Sequence, residues 1–175
     1  MGAVDKKYII ALLVVVVLAA TWKVMNPYRK YSGLSYWESA TIATAQGVPD
    51  EALKPGNKHG SVLMFASTSV TDPEIISYLI SRGADVNEVE PDFLGTPLSA
   101  AAAYNFNPMI IRELVKHGAD ISARVSHRNT ILMTAALFNT NPGIVEELIT
   151  HGADISARNE NGDTALDLAK RNDNQ

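Results

Sequence analysis

Cysteine is absent from this 175-residue chain. That excludes disulfides, thiol catalysis, cysteine-liganded zinc and lipid attachment through a cysteine, while selecting no compartment. Lysine and arginine become scarce after residue 33. Five of the fifteen lie in residues 1–33 beside a single acid, Asp5, so residues 34–175 carry ten basic and eighteen acidic groups, a net −8. A domain of that charge repels phosphate backbones, which argues against a nucleic-acid partner. No glycine-rich phosphate loop, nucleophile elbow or zinc-protease helix occurs. The expectation is a protein that is not an enzyme, with no cofactor, metal or small-molecule substrate. Lys6 occupies the position where an N-myristoylation signal needs Ser or Thr. The adjacent acids Asp50-Glu51 and Glu146-Glu147 read as solvated faces rather than acid–base pairs.

One long apolar run is present. Residues 8–22 are free of charge, follow Lys6-Lys7 and precede Lys23. As a helix they span roughly 22 Å, and adding Val24 and Met25 with Lys23 snorkelling brings this to about 27 Å, against a hydrocarbon core of ~30 Å. A retained anchor over residues 1–25 places Tyr8 and Trp22 at opposite interfaces. A cleavable secretory signal uses the same basic start and cuts after Val17-Leu18-Ala19. An ordinary buried helix is the third reading. The short tail ahead of the run has signal-anchor character, which puts the rest of the chain outside the cytoplasm, single-pass if anchored and soluble if cleaved. Residues 26–33, with Pro27 and Gly33, form a linker.

The remainder repeats itself. Gly-Ala-Asp recurs at Gly83-Ala84-Asp85, Gly118-Ala119-Asp120 and Gly152-Ala153-Asp154, each copy standing 22 residues after Ser61, Thr96 or Thr130, and Thr164 follows the last. A fixed period of 34–35 residues marks one supersecondary unit stacked on copies of itself. After each Ser/Thr come leucines (Leu63, Leu98, Leu132, Leu166) and alanines (Ala66, Ala101, Ala135, Ala169), a small-residue face that lets helices approach closely. Asp72-Pro73, Asn107-Pro108 and Asn141-Pro142 then supply an N-cap and a first-turn proline. Apolar pairs at i, i+1, i+4, i+5 (Ile75-Ile76 with Leu79-Ile80 in the first copy) give a second helix one broad apolar stripe. Arg112-Glu113 and Glu146-Glu147 fall between the pairs, on the expected outer surface. Each glycine suits the left-handed residue that ends a helix.

These residues resemble the ankyrin repeat. Thr96-Pro97-Leu98 with Ala101-Ala102, and the Gly-Ala-Asp-Val/Ile-Asn/Ser runs, stand where that family has Thr-Pro-Leu-His and Gly-Ala-Asp-Val-Asn. The histidine of the turn motif is replaced by Met64, Ser99, Met133 and Asp167, which implies weaker coupling at the turns. The resemblance implies a mainly α fold, an ankyrin-type solenoid of helix-turn-helix units and β-hairpin loops behind one N-terminal hydrophobic helix. Residues 34–60 form a half-repeat cap, with Ser35-x-x-Glu38 opening a helix to about Gln46, Gly47-Val48-Pro49-Asp50 as a degenerate Gly-Ala-Asp, and Trp37 in core or cap packing. Repeats span 61–95, 96–129 and 130–163, and 164–175 is a truncated, polar C-terminal cap.

The resemblance also implies a function: another protein is bound through the loop tips and the concave face of the first helices. The tips are Glu88–Leu94, Ala123–Asn129 and Ala157–Asp163. In the first, Glu88 and Asp92 accompany Phe93-Leu94, two apolar groups that either anchor a partner or fold onto the next turn. Arg124, His127, Arg128 and Arg158 make a basic cluster at the later tips. The concave column holds Phe65, Ala100, Thr134 and Leu168, followed by Tyr104, Leu137 and Phe138, where an aromatic stripe is either packing or contact surface. His117 and His151 stand one repeat apart and read as helix C-terminal groups rather than a metal pair. The functional expectation is a membrane-tethered scaffold or adaptor module. The alternative is an exported, soluble accessory or inhibitor protein that binds an envelope enzyme.

Overall fold

The computed structural model describes residues 37, 40–54, 61–90 and 95–172. Within them lie α1 (Ile42–Gln46), α2 (Val62–Ser69), α3 (Pro73–Ser81), α4 (Pro97–Tyr104), α5 (Pro108–Lys116), α6 (Ile131–Phe138), α7 (Pro142–Thr150) and α8 (Ala165–Asn172). Short 3-10 turns cover Asp50–Leu53 and Ser126–Arg128. The expected hairpins are reduced to isolated antiparallel bridges at Glu90–Gly95 and Arg124–Thr130. Among the described residues no helix is long and apolar enough to cross a membrane; the apolar run at 8–25 lies outside them.

Capping chemistry sets the helix boundaries. The hydroxyls of Ser61, Thr96, Thr130 and Thr164 accept from the N–H groups of Met64, Ser99, Met133 and Asp167 at 3.2–3.3 Å. The reciprocal bond comes from the residues standing at the missing histidine. Ser99 Oγ accepts from Thr96 N–H at 2.9 Å, Asp167 Oδ2 from Thr164 N–H at 3.0 Å, and Met133 Sδ from Thr130 N–H at 3.4 Å. The expectation of weaker turns is corrected here: in these copies another acceptor closes the box. Asp72, Asn107 and Asn141 cap α3, α5 and α7 through the N–H two residues on. These helices end alike. Gly83, Gly118 and Gly152 have φ of +102°, +90° and +94°. Their N–H groups reach Ile80, Val115 and Ile149 carbonyls at 2.9 Å, and the next N–H, from Ala84, Ala119 or Ala153, reaches Leu79, Leu114 or Leu148.

Stacking produces two layers, with α2, α4, α6 and α8 in one and α1, α3, α5 and α7 in the other. Leu63, Leu98 and Leu132 are buried, as are the alanines Ala66, Ala101 and Ala135 and the stripe residues Ile75, Ile76, Ile110, Ile111 and Ile144. Leu166 holds the same repeat position but is 62% exposed, because no second helix follows α8 among the described residues. With Ile149 and Ile155 it opens onto a groove of about 520 Å³; the end of the expected polar tail, residues 173–175, lies outside the described residues. Phe65, Ala100, Thr134 and Leu168 are buried and do not form the predicted concave column.

The repeats are also joined by an asparagine ladder. Asn105 Nδ2 donates to the carbonyls of Ser67 and Val70, both at 2.9 Å, and Asn139 Nδ2 to those of Ala102 and Asn105 at 3.0 and 2.8 Å. Asn107 and Asn141 reach Thr71 and Phe106 carbonyls at 2.6 Å. Each bond spans 34–38 residues and satisfies a backbone acceptor left by the preceding repeat's helix end. Position 70 of the first repeat, equivalent to Asn105 and Asn139, is a fully buried valine.

The N-terminal cap is described in part, with Trp37 helical and a second stretch ending at Gln46 as expected. The helix Ile42–Gln46 is opened by a Thr41–Thr44 capping box; Ser35 and Glu38 lie outside the described residues. Gly47 has φ −76°, so Gly47-Val48-Pro49-Asp50 does not reproduce the left-handed ending. The segment nonetheless caps the stack. Helix α1 packs on α3, Trp37 is fully buried, and Arg82 binds Asp50 (Nε–Oδ1 3.0 Å) and the Tyr78 hydroxyl at 2.7 Å.

Candidate protein-binding site

At the loop end, short polar residues fold the chain locally and then tie one loop to the next. Asp120 Oδ1 accepts from Ser122 N–H and hydroxyl at 2.8 and 2.6 Å, and Asp154 does the same with Ser156. These serine hydroxyls hold both carboxyls below the usual range. Asn87 links the first loop to the second, donating to Gly118 carbonyl at 2.9 Å and accepting from Asp120 N–H at 2.8 Å. Arg124 links the second to the third: its guanidinium donates to the carbonyls of Arg128 at 2.8 Å and Arg158 at 2.9 Å. Arg158 repeats the local half of this arrangement on Gly162 carbonyl at 2.6 Å. The basic cluster is therefore part scaffold, since two of its arginines brace tips.

His127 and Arg128 differ from those braces. Both are exposed and sit in left-handed backbone, at φ 59° and 56°, a conformation non-glycine residues adopt only when the surroundings dictate it. Glu160 N–H donates to His127 carbonyl at 3.2 Å, and Asn159 Nδ2 to Asn129 Oδ1 at 2.9 Å, so the third loop holds this tip in place. Glu88 is half-buried on the first loop. Asp92, Phe93 and Leu94 lie outside the described residues.

The outer face of the second helices is only in part the solvated surface expected from Arg112-Glu113 and Glu146-Glu147: Arg112 and Glu146 are exposed, Glu113 is half-buried. Glu147 is buried, because Arg112 of the preceding repeat grips it through two bonds of 2.7 and 3.0 Å. This pairing depresses the Glu147 carboxyl against the opposing effect of burial. In the adjacent step the Ser77 hydroxyl donates to Glu113, lowering its carboxyl, with Lys116 at 2.9 Å reinforcing the shift. His117 joins this group, 3.0 Å from Ser77 Oγ and 3.2 Å from Glu113, whereas His151 meets the carbonyl of Glu147 at 2.9 Å. His151 thus serves its own helix end, while His117 also bridges to the preceding repeat through Ser77, and no cluster able to hold a metal stands among the described residues.

At the opposite end, where the two helices of a repeat meet, Tyr104 and Phe138 are exposed, with ring centroids 6.5 Å apart and planes tilted by 36°. They touch each other without closing off solvent. Beside Tyr104 a groove of about 670 Å³ runs between the first two repeats, walled by Phe106 and Pro108 on one side and Thr68, Ser69 and Thr71 on the other. Phe106 and Met109 were not among the residues predicted from sequence. Their signal was available in the alignment of copies, as places where one repeat is apolar and another polar.

Capped helical pairs, a left-handed Gly-Ala-Asp ending and layers cross-linked at one fixed period define a helix-turn-helix solenoid. A family model describing ankyrin repeats in three copies matches residues 63–159, and the chain belongs to the ankyrin-repeat family. Repeats of this kind suggest a protein–protein interaction module. No curated protein matches the sequence.

Proposed function

We propose that the chain is a membrane-tethered protein-binding module, a scaffold or adaptor with no catalytic step, cofactor or nucleic-acid partner. The observation that carries this reading is the interlocked pair of loop tips, with Arg124 spanning both and His127 and Arg128 held outward in left-handed backbone. Tips fixed in advance lose little entropy on binding. A cationic edge in a domain of net −8 suits an acidic patch on the partner. Glu88, Arg124, His127, Arg128 and Arg158 would frame that edge, and Asp92, Phe93 and Leu94 would extend it with an apolar anchor. The tether rests on the charge-free run 8–22 and its lysine flanks. The short tail ahead of the run has signal-anchor character, which favours the domain on the extracytoplasmic side, facing envelope proteins.

The test is capture by the C-terminally tagged full chain from mild detergent, with intact masses read on bait and co-purified proteins. The expected result is an uncleaved bait carrying a stoichiometric partner, lost in Arg128→Glu and in Phe93→Asp at unchanged melting temperature. A bait shortened by about twenty residues would replace the anchor with a cleaved signal and a soluble accessory protein. A folded bait that captures nothing would contradict the binding reading.

A further inference from the structure

We propose that the α4–α5 turn and the ends of α4 and α6 form a second docking surface. Its occupant is an extended segment of a partner protein that carries a bulky apolar side chain beside lysine or arginine. This rests on the reading of the domain as a binding module, but uses the face opposite the loop tips.

The stack supplies its own control. Three exposed or half-exposed positions at this end recur in the three full copies: Ser69, Thr71 and Glu74 in the first, Tyr104, Phe106 and Met109 in the second, Phe138, Thr140 and Gly143 in the third. The first repeat folds with all three polar, so stacking does not require apolar groups there. In the second repeat all three are apolar and all are open to solvent, at 49%, 68% and 42%, with Phe138 at 54% beside them. Four large apolar side chains meeting water at one end of a small domain make the kind of patch that marks an interaction site. Aromatic groups also contribute disproportionately to binding when a partner desolvates them.

The groove beside them fixes the shape of the occupant. Its walls are held by the asparagine braces on Ser67, Val70 and Thr71 carbonyls, so it is formed before anything enters it. Tyr104, Phe106 and Pro108 offer one apolar wall for a ring or a branched side chain. Across from it, Thr68, Ser69 and Thr71 lead directly into Asp72 and Glu74. Residues 68–74, 104–109 and 138–143 contain no lysine, arginine or histidine, and these two carboxylates are their only acids. Asp72 and Glu74 stand just beyond the groove's own lining, with Asp72 also capping α3, and make this edge acidic beside an apolar wall, so complementarity selects a basic flank on the ligand. The loop tips present arginines instead, so the two ends of the stack select opposite charge.

Fluorescence anisotropy on the full chain in mild detergent tests this directly. The probes are labelled decapeptides with one tryptophan flanked by arginine and lysine, and a matched set with glutamate at the flanks. The basic set should bind at least tenfold more tightly. Tyr104→Ser with Phe106→Thr installs the first repeat's own residues, so the fold should melt unchanged while affinity falls at least tenfold. Arg128→Glu, at the loop end, should leave peptide binding intact, so failure of the loop-tip reading and failure of this one are told apart. Equal binding of the two sets, no binding of the basic set, or full retention by the double variant would each overturn the proposal. A gain in affinity on Arg29→Ser with Lys30→Ser would give the groove to the chain's own basic stretch instead. Self-association abolished by the double variant would give it to a second copy; either result overturns the proposal as stated.

Discussion

The loop end and the turn end of the stack solve the same problem with different outcomes. Both must satisfy backbone groups at helix ends or in loops, and both do so by reaching across one repeat. At the loop end the reach is made by Asn87 and Arg124, and the surface that results is hydrogen-bonded and charged. At the turn end it is made by Asn105 and Asn139 from buried or half-buried positions, which leaves the outward side chains free to vary. They vary strongly, from Ser69 and Thr71 to Tyr104 and Phe106 within one period. The positions that must be alike to stack are alike, and those that differ between copies are where recognition can be written.

Predictions sharpen this contrast, and the largest concerns one position in two settings. Leu132→Ala should cost about 2–5 kcal/mol in denaturant unfolding, the range for a buried leucine. Leu166→Ala, at the same repeat position but exposed, should stay within about 0.5 kcal/mol. Equal effects would show that the last helix is covered in solution.

Asn105→Ala comes next. Its amide donates to two carbonyls and accepts from Asn107 N–H at 2.8 Å, in a site almost closed to water. Leaving such groups unpaired should cost on the order of 3 kcal/mol. A loss below about 0.5 kcal/mol, the level of an ordinary surface change, would mean that the ladder is not what couples the repeats.

A smaller effect separates the second-helix face by pH. The folded Glu147 carboxyl lies below its unfolded value because Arg112 pairs with it. Its contribution is therefore complete above the ordinary carboxylate range and is lost as pH falls through the depressed value. Glu147→Gln should flatten that acid limb of the stability profile, and Arg112→Gln should shrink it. A profile unchanged in both variants would remove the pair from the account. The smallest expected change is the melting temperature of Tyr104→Ser with Phe106→Thr, which should match wild type; a clear drop would make those rings packing rather than surface.

Much of the fold was legible in the sequence because local rules govern it. A serine or threonine cap, an Asx-Pro start and a glycine end act within a few residues, so their spacing announced the helices directly. What acts at a distance of one repeat was harder to read. The burial of Glu147 depends on Arg112 35 residues earlier, and nothing local to Glu146-Glu147 distinguishes the buried carboxylate from the solvated one. Asn105 and Asn139 give no local signal because their partners are carbonyls of the previous copy. At the N-terminus Ser35-x-x-Glu38 and Thr41–Thr44 both offer a helix start, and Thr41 opens the described helix. Phe106 and Met109 went unnoticed because a repeat is found by what its copies share, whereas these residues matter for what they do not.

Amide hydrogen exchange on the full chain in mild detergent, with and without the captured partner, tests the central claim most directly. Protection reports which backbone becomes harder to open on binding. The account predicts slower exchange confined to the divergent edges, at residues 123–130 and 157–163 for the loop tips or 104–109 for the turn end, with α3 and the rest of α5 unchanged. Slowing along the outer faces of α3 and α5, with the edges unaffected, would contradict it.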